Sequence, residues 1–97
     1  MAKRINTIVW DGIQIEVRFM PNKFGPFSHL EIKSKSPIGA PLPITETGYR
    51  SHYIQDGDLE AYNDDPVKYV VAWLNHVAKG KNWKAYVEAN RQGDLFQ

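Results

Sequence analysis

The clearest pattern in the chain is a strict alternation of apolar and polar residues from Ile13 to Phe19. Gln14, Glu16 and Arg18 occupy the polar positions of this run. Successive side chains of a β-strand point to opposite faces of the sheet. The pattern therefore predicts a strand with one buried face and one face in water.

A tight turn is predicted immediately before this strand. Asp11-Gly12 is a favoured pair for a two-residue type I′ hairpin turn, and apolar β-forming residues flank it on both sides. A turn of this length fixes the register of the strands that it joins. The predicted facing pairs are Trp10 with Ile13, Ile8 with Ile15, and Asn6 with Val17.

Further strands are predicted after the first hairpin. FSHLEIKSK, residues 27–35, predicts a third strand with Leu30 and Ile32 facing the core, and the MPNKFGP stretch before it is predicted to be a loop. Three prolines between residues 36 and 48 disfavour both helix and central strand, so this segment is predicted to cross as an extended loop. YRSHYI, residues 49–54, is a candidate fourth strand.

The pattern changes to that of a helix after Asp65. Asp65 followed by Pro66 predicts a helix start, because it offers a capping carboxylate and then a proline at the first helical position. Gly80 is a fitting end. Asn82 is predicted to cap a second helix that stops at Gly93. Apolar residues fall at helical spacing in the first helix: Val67, Val70, Val71, Leu74 and Val77, with Tyr69 and Trp73 beside them.

Together these elements predict an α+β domain. An antiparallel sheet of three or four strands, formed by the N-terminal hairpin and its meander, is covered on one face by the two C-terminal helices. A short helical stretch is predicted near Leu59–Tyr62. The 97 residues make one domain, predicted to span residues 1–92 and to leave residues 93–97 as a short C-terminal tail.

Composition narrows the class of protein. The chain has no cysteine, which excludes disulfides, thiol catalysis and cysteine-bound zinc. No apolar run approaches the about 18 residues of a membrane span, and the start lacks the features of a signal peptide, so we expect a cytoplasmic protein with no membrane partner. The net charge is +1, divided as +3 over residues 1–35, −4 over residues 36–78 and +2 over residues 79–97. This distribution is typical of ordinary surface charge.

No group of residues has a sequence pattern typical of catalysis. His29, His52 and His76 lie on three different elements, so we expect no metal site and no cofactor unless the fold brings all three together. Ser51 and His52 are adjacent on a predicted strand and point to opposite sides, so they cannot form a nucleophile–base pair. The acidic run at residues 56–65 does not follow the order of an EF-hand loop. We therefore expect that the protein is not an enzyme.

The segment from Thr45 to Tyr53 has the composition of a binding surface. Tyrosine and arginine are enriched where interfaces concentrate their binding energy, and aromatic rings can stack on nucleobases. Tyr49, Arg50, His52 and Tyr53 are therefore the candidate residues of a protein- or nucleic-acid-binding module. The alternative interpretation is an edge strand whose polar residues protect it against aggregation.

The sequence QGDLF lies near the end of the chain. It resembles the pentapeptide with which bacterial replication and repair proteins bind the polymerase sliding clamp. Gln92, Asp94, Leu95 and Phe96 match that pattern, and Gly93 stands where leucine is usual. The resemblance implies that Leu95 and Phe96 fill a hydrophobic pocket of the clamp while Gln92 hydrogen-bonds beside it. In the alternative interpretation, Leu95 and Phe96 pack against their own domain.

Three other stretches, VWDGIQIEV, PITETGYRSHYI and VAWLNHVAKGKNWKAY, resemble uncharacterised small proteins of proteobacterial plasmids and prophages. This resemblance implies an accessory protein of a mobile element and no particular mechanism. With the tail, it leads us to expect a non-enzymatic accessory protein of DNA metabolism that engages the sliding clamp. The binding module at Thr45–Tyr53, and a small domain with a structural C-terminus, are the alternatives.

Overall fold

The computed structural model describes residues 3–55 and 57–94, of which residues 90–94 are described only as helical backbone. It confirms the α+β fold, with four strands in one antiparallel sheet ordered β1-β2-β3-β4. The strands are β1 (Arg4–Trp10), β2 (Ile13–Phe24), β3 (Phe27–Ser36) and β4 (Tyr49–Gln55). A 3-10 helix (Glu60–Tyr62), α1 (Pro66–Ala78) and α2 (Lys81–Asp94) follow.

The first hairpin forms as predicted. Asp11 and Gly12 have φ values of 50° and 79°, and positive φ at both central residues is the requirement of a type I′ turn. The predicted register is confirmed, with Trp10 opposite Ile13 and the two further predicted pairs in place. A local turn therefore determines which face of β2 becomes the core.

The second connection differs from the predicted loop. β2 continues through Pro21 to Phe24, with a register shift against β3 between Met20 and Phe24. The described part of β1 pairs with β2 no further than Phe19, so Pro21 lies beyond that pairing, where a proline is tolerated. The backbone N–H of Asn22, at φ 51°, donates to Ser28 Oγ at 3.0 Å. The prediction of a loop over residues 20–26 was wrong, because the register shift allows β2 to continue through Pro21.

The proline-rich segment crosses from β3 to β4 as predicted and closes one end of the core. Leu42 and Ile44 are buried in it. The N–H of Ser34 donates to the carbonyl of Gly48 at 2.8 Å. Gly48 has a φ of +77°, and a Cβ at this position would lie 2.7 Å from the carbonyl carbon of Gly39. Only glycine fits at this contact.

The two helices pack on the face of the sheet that carries the apolar alternation. Asp65 caps α1 by accepting the Val67 N–H at 2.9 Å, as predicted. The apolar side of α1 enters the core. The second helix begins at Lys81 and continues past Gly93 to Asp94, so the glycine does not end it. Trp83 of α2 packs its ring 6.0 Å from that of Trp10.

The sheet therefore has a covered face and an open face. The covered face and the segments packed on it form the core: Ile15, Val17, Phe19, Leu30, Ile32, Leu42, Ile44, Ile54, Val70 and Leu74. The open face carries the alternate residues, including Ile5 and Val9 of β1, Glu16 and Arg18 of β2, His29, Glu31 and Lys33 of β3, and Tyr49, Ser51 and Tyr53 of β4. Among the described residues, no helix is long and apolar enough to cross a membrane.

Candidate binding surface on the sheet

Strand β4 divides the predicted binding residues between the two faces. Tyr49 and Tyr53 lie on the open face with Ser51, and Arg50 and His52 lie on the covered face. The division follows from the period of two along a strand. The four predicted residues therefore lie on two sides of one strand rather than on one surface.

Exposed aromatic rings form the open-face part of this site. Tyr49 is 45% exposed and Tyr53 is 48% exposed. Phe24, at the end of β2, is 59% exposed, and its ring centroid lies 5.9 Å from that of Tyr53. Large rings kept this accessible are available to stack on a ligand.

A buried histidine supports Tyr53 from below. His29 is only 6% exposed, its ring centroid lies 4.6 Å from that of Tyr53, and its Nε2 shares a 2.6 Å hydrogen bond with Ser51 Oγ. The pairing of β3 with β4 places His29 opposite Tyr53 and next to Ser51. The sequence placed Ser51 beside His52, but its actual partner is a histidine 22 positions away.

A second hydrogen bond orients the other exposed tyrosine. The hydroxyl of Tyr49 donates to Glu31 Oε2 at 2.7 Å. This bond lowers the pKa of the Glu31 carboxyl and raises the pKa of the Tyr49 hydroxyl. Both tyrosines of the open face are therefore positioned by neighbours on β3.

The contact between Ser51 and His29 has the distance of a nucleophile and its base. In serine hydrolases a carboxylate orients the histidine. Here the nearby carboxylate, Glu31, accepts its hydrogen bond from Tyr49, and the histidine ring packs against Tyr53. These contacts order the surface. His29 supports the exposed ring of Tyr53, and Glu31 supports the exposed ring of Tyr49.

Positive charge accompanies the aromatic rings. The ammonium of Lys23 lies 5.7 Å from the centroid of the Phe24 ring. Lys33 is paired with Tyr49 across β3 and β4. Arg18 is held by Glu16 in a 2.8 Å ion pair and keeps 42% of its side chain exposed. The net charge of +3 in residues 1–35 is thus partly displayed around the rings.

On the covered side of β4, the other two predicted residues pack against α1. The Arg50 guanidinium lies 5.5 Å from the Trp73 ring, and the His52 ring centroid is 4.5 Å from that of Trp73. Burial, followed by the charge of Arg50, lowers the pKa of His52. The Tyr69 hydroxyl is 3.4 Å from His52 Nε2, and burial raises the pKa of that hydroxyl. Much of this cluster joins the helix to the sheet.

The acidic run contributes contacts within the fold. Asp65 caps α1, and Asp58 accepts the N–H of Gln55 at 2.8 Å. Over residues 3–55 and 57–89, whose side chains the structure describes, no three histidine or acidic side chains are grouped closely enough to hold a metal ion. The described histidines His29 and His52 lie on opposite faces of the sheet, and His76 lies on α1.

Two further regions bear on the sequence predictions. A groove of about 620 Å³ lies between the proline-rich segment and the start of α2, where the Trp83 and Tyr86 rings stack at 5.0 Å.

At the other end of α2, Gln92 and Asp94 belong to the helical backbone. Leu95 and Phe96, the two apolar residues of the predicted clamp-binding peptide, lie outside the described residues.

The strands and helices form a small α+β domain with one face of its sheet left open. A family model described as the KlcB third domain matches residues 3–83, which is 81 of the 97 residues, and the chain belongs to that family. KlcB is plasmid-associated, so the family suggests a plasmid context. No curated protein and no solved structure matches the chain.

Proposed function

We propose that this domain is a non-enzymatic accessory module that binds single-stranded nucleic acid on the open face of its sheet. The observation that carries the proposal is the grouping of Tyr49, Tyr53 and Phe24, all exposed, with Lys23 and Lys33 beside them. Aromatic rings stack on bases of any sequence, and lysines contact the phosphate backbone.

The orientation of the two tyrosines supports this role. Tyr53 is backed by the His29 ring at 4.6 Å, and Tyr49 is held by Glu31 at 2.7 Å. Because their positions are set before a ligand arrives, little side-chain entropy is lost on binding. The same two supports use the polar groups that a hydrolase would need, which favours binding over catalysis.

Fluorescence anisotropy with a labelled single-stranded oligonucleotide tests the proposal. We expect salt-sensitive binding that the double variant Tyr49→Ala, Tyr53→Ala loses. The matched control is Tyr86→Ala, which removes an exposed tyrosine from α2, well away from the open face. No binding by the native protein at low salt, or equal loss in the control, would refute the proposal.

A second candidate function is docking on a DNA polymerase sliding clamp through Gln92, Asp94, Leu95 and Phe96. The match of QGDLF to the clamp-binding pattern supports it. Gly93 lies in the last turn of α2, where glycine weakens a helix by about 1 kcal/mol relative to alanine, so this turn can open into an extended peptide at small cost. The pentapeptide lies outside the family match at residues 3–83, so this function would belong to the chain rather than to its family.

Calorimetric titration against the host clamp tests this second proposal. Binding should be lost in the double variant Leu95→Ala, Phe96→Ala and retained in Gln97→Ala, which changes the neighbouring residue outside the motif. Equal affinity of the native protein and the double variant would exclude clamp docking. Loss of clamp binding together with the fold, checked by circular dichroism, would point instead to a structural tail.

A further inference from the structure

The outer edge of β4 offers backbone hydrogen-bonding groups to a partner. In an antiparallel pair, the N–H and C=O groups of alternate residues point to the neighbouring strand and those between them point away. The carbonyl of Gly48 accepts the Ser34 N–H on the β3 side. It follows that Arg50 and His52 also bond toward β3, whereas Ser51 and Tyr53 direct both backbone groups outward.

Contacts at the two ends of β4 confirm this alternation. The carbonyl of Tyr49 accepts the Thr45 hydroxyl at 2.8 Å, outside the sheet. At the other end, Gln55 donates its N–H to the Asp58 carboxylate at 2.8 Å and accepts the Asp58 N–H at 3.1 Å. These caps occupy both ends of the edge. Between them lie the outward N–H and C=O groups of Ser51 and Tyr53, which we call the edge window.

Within the part of the chain that the structure describes, the edge window lacks the usual protection against strand pairing. Sheet edges are commonly protected by lysines, prolines, bulges or covering segments. Residues 49–55 contain one charged side chain, that of Arg50, and no proline. The register of β4 against β3 is regular from end to end. The protection is confined to the two caps, which limits any added strand to about three residues.

We propose that the edge window binds an extended peptide of a partner protein by strand addition, with an acidic residue flanked by two β-branched residues. The central residue of such a peptide faces His52 and shares the side of the sheet with Arg50, an exposed residue whose guanidinium lies 5.5 Å from the Trp73 ring and donates to the Ile44 carbonyl at 3.4 Å. A carboxylate there pairs with Arg50. The flanking side chains lie on the open face beside Ser51 and Tyr53, where β-branched residues pack well across strands.

The surface around the window favours a free peptide over a second copy of this chain. A depression lies beside the window. It has a volume of about 480 Å³ and lies between residues 42–47 and the first half of β4. A peptide can turn its free ends away from the Thr45 and Asp58 caps. Two copies paired through β4 would bring the Thr45 cap of each against the Asp58 cap of the other. This inference does not depend on nucleic-acid binding, because it uses the edge of the sheet rather than its open face.

NMR titration with the blocked peptide Thr-Val-Glu-Val-Thr tests the proposal. We expect large amide shifts and new hydrogen-exchange protection at Ser51 and Tyr53. The built-in controls are Arg50 and His52, whose amides already bond to β3. Amides of Ser51 and Tyr53 that do not respond to millimolar peptide would overturn the proposal. Protection of these amides that rises with protein concentration before any peptide is added would also overturn it, in favour of a second copy.

Matched N-methylated peptides test the hydrogen-bond pattern. A methyl group on either valine nitrogen should weaken binding about tenfold, the value of one lost hydrogen bond. The same group on the glutamate nitrogen, which points away from β4, should change affinity less than about twofold. Replacing the glutamate with lysine should weaken binding to the native protein but not to Arg50→Ala. Equal effects of all three N-methyl groups would exclude strand addition in this register.

Discussion

The two faces of the sheet are made by the same four strands and are stabilised in different ways. On β3, Leu30 and Ile32 are completely buried under the helices, and the residue between them, Glu31, faces the open side. The covered face is closed by apolar contacts. The open face is ordered by hydrogen bonds between side chains, such as those of His29 with Ser51 and of Glu31 with Tyr49.

This difference indicates how the domain can keep one face of its sheet open without losing stability. Burial of apolar area supplies most of the free energy of folding, and the covered face provides it. Hydrogen bonds between partly exposed groups add little net stability, but they fix the direction of side chains. The open face can therefore present oriented aromatic rings to solvent, and changes on the two faces should have different consequences.

Neighbouring substitutions on β3 give the largest contrast between the faces. Leu30→Ala should lower the free energy of unfolding by about 2–5 kcal/mol, because it leaves a cavity in the core. Glu31→Ala, one residue further on the open face, should change it by less than about 1 kcal/mol. Urea denaturation of both variants measures the difference. Similar losses would mean that the open face is also part of the core.

The close approach of Gly48 to the Gly39 backbone, at the end of the covered face, gives the second-largest expected loss of stability. Gly48→Ala places a Cβ 2.7 Å from the Gly39 backbone at a positive φ. The φ alone costs about 1–2 kcal/mol, and the clash should raise the loss of stability above that. Gly25→Ala is the control, because Gly25 also has a positive φ and no atom within 4 Å of the added Cβ. Equal melting temperatures in the two variants would show that the Gly39 contact relaxes freely.

Local signals explain what the sequence predicted about the covered face. The Asp11-Gly12 turn fixed the register of the first hairpin, and Asp65 with Pro66 marked the start of α1. Both depend on residues within a few positions of one another. The α+β class followed from them, because only one face of β2 is apolar and α1 is the element able to cover it.

The open-face site depends on contacts that are distant in sequence. The hydrogen bond of Ser51 with His29 requires the register of β4 against β3, which is set across the proline-rich crossing. No local pattern specified that register. A partial signal was present: His29 and Glu31 alternate with Leu30 and Ile32, which places both polar residues on the wet face of their strand. The partners on β4 remained beyond reach, whereas the division of Arg50 from Tyr49 follows from the period of two along the predicted fourth strand.

Ser34 and Ser51 allow a hydrogen bond of the covered face to be compared with one of the open face. Ser34, on the covered face, is fully buried and donates to the Ala40 carbonyl at 2.7 Å. Ser34→Ala should cost about 1–3 kcal/mol, because it leaves that carbonyl without its partner. Ser51→Ala should lower the free energy of unfolding by about 0.5–1.5 kcal/mol. Of the two variants, only Ser51→Ala should weaken oligonucleotide binding, because loss of its hydrogen bond lets His29 and Tyr53 shift. Thermal melts and anisotropy of both variants measure the two effects, and a binding loss in Ser34→Ala alone would reverse the assignment of the faces.

The smallest expected effect is a pH dependence that comes from the covered face. Burial and the charge of Arg50 lower the pKa of His52 below its ordinary value of 6.5, with Asp58 acting weakly in the opposite direction. The unfolded chain then binds more protons than the folded chain between the two pKa values, so stability falls as the pH drops from about 7 through this window. His52→Gln should flatten the slope, and His76→Gln, which removes an exposed histidine of α1, is the control. An NMR titration of the His52 ring gives its folded pKa directly, and a value at or above 6.5 would contradict the packing against α1 as the cause.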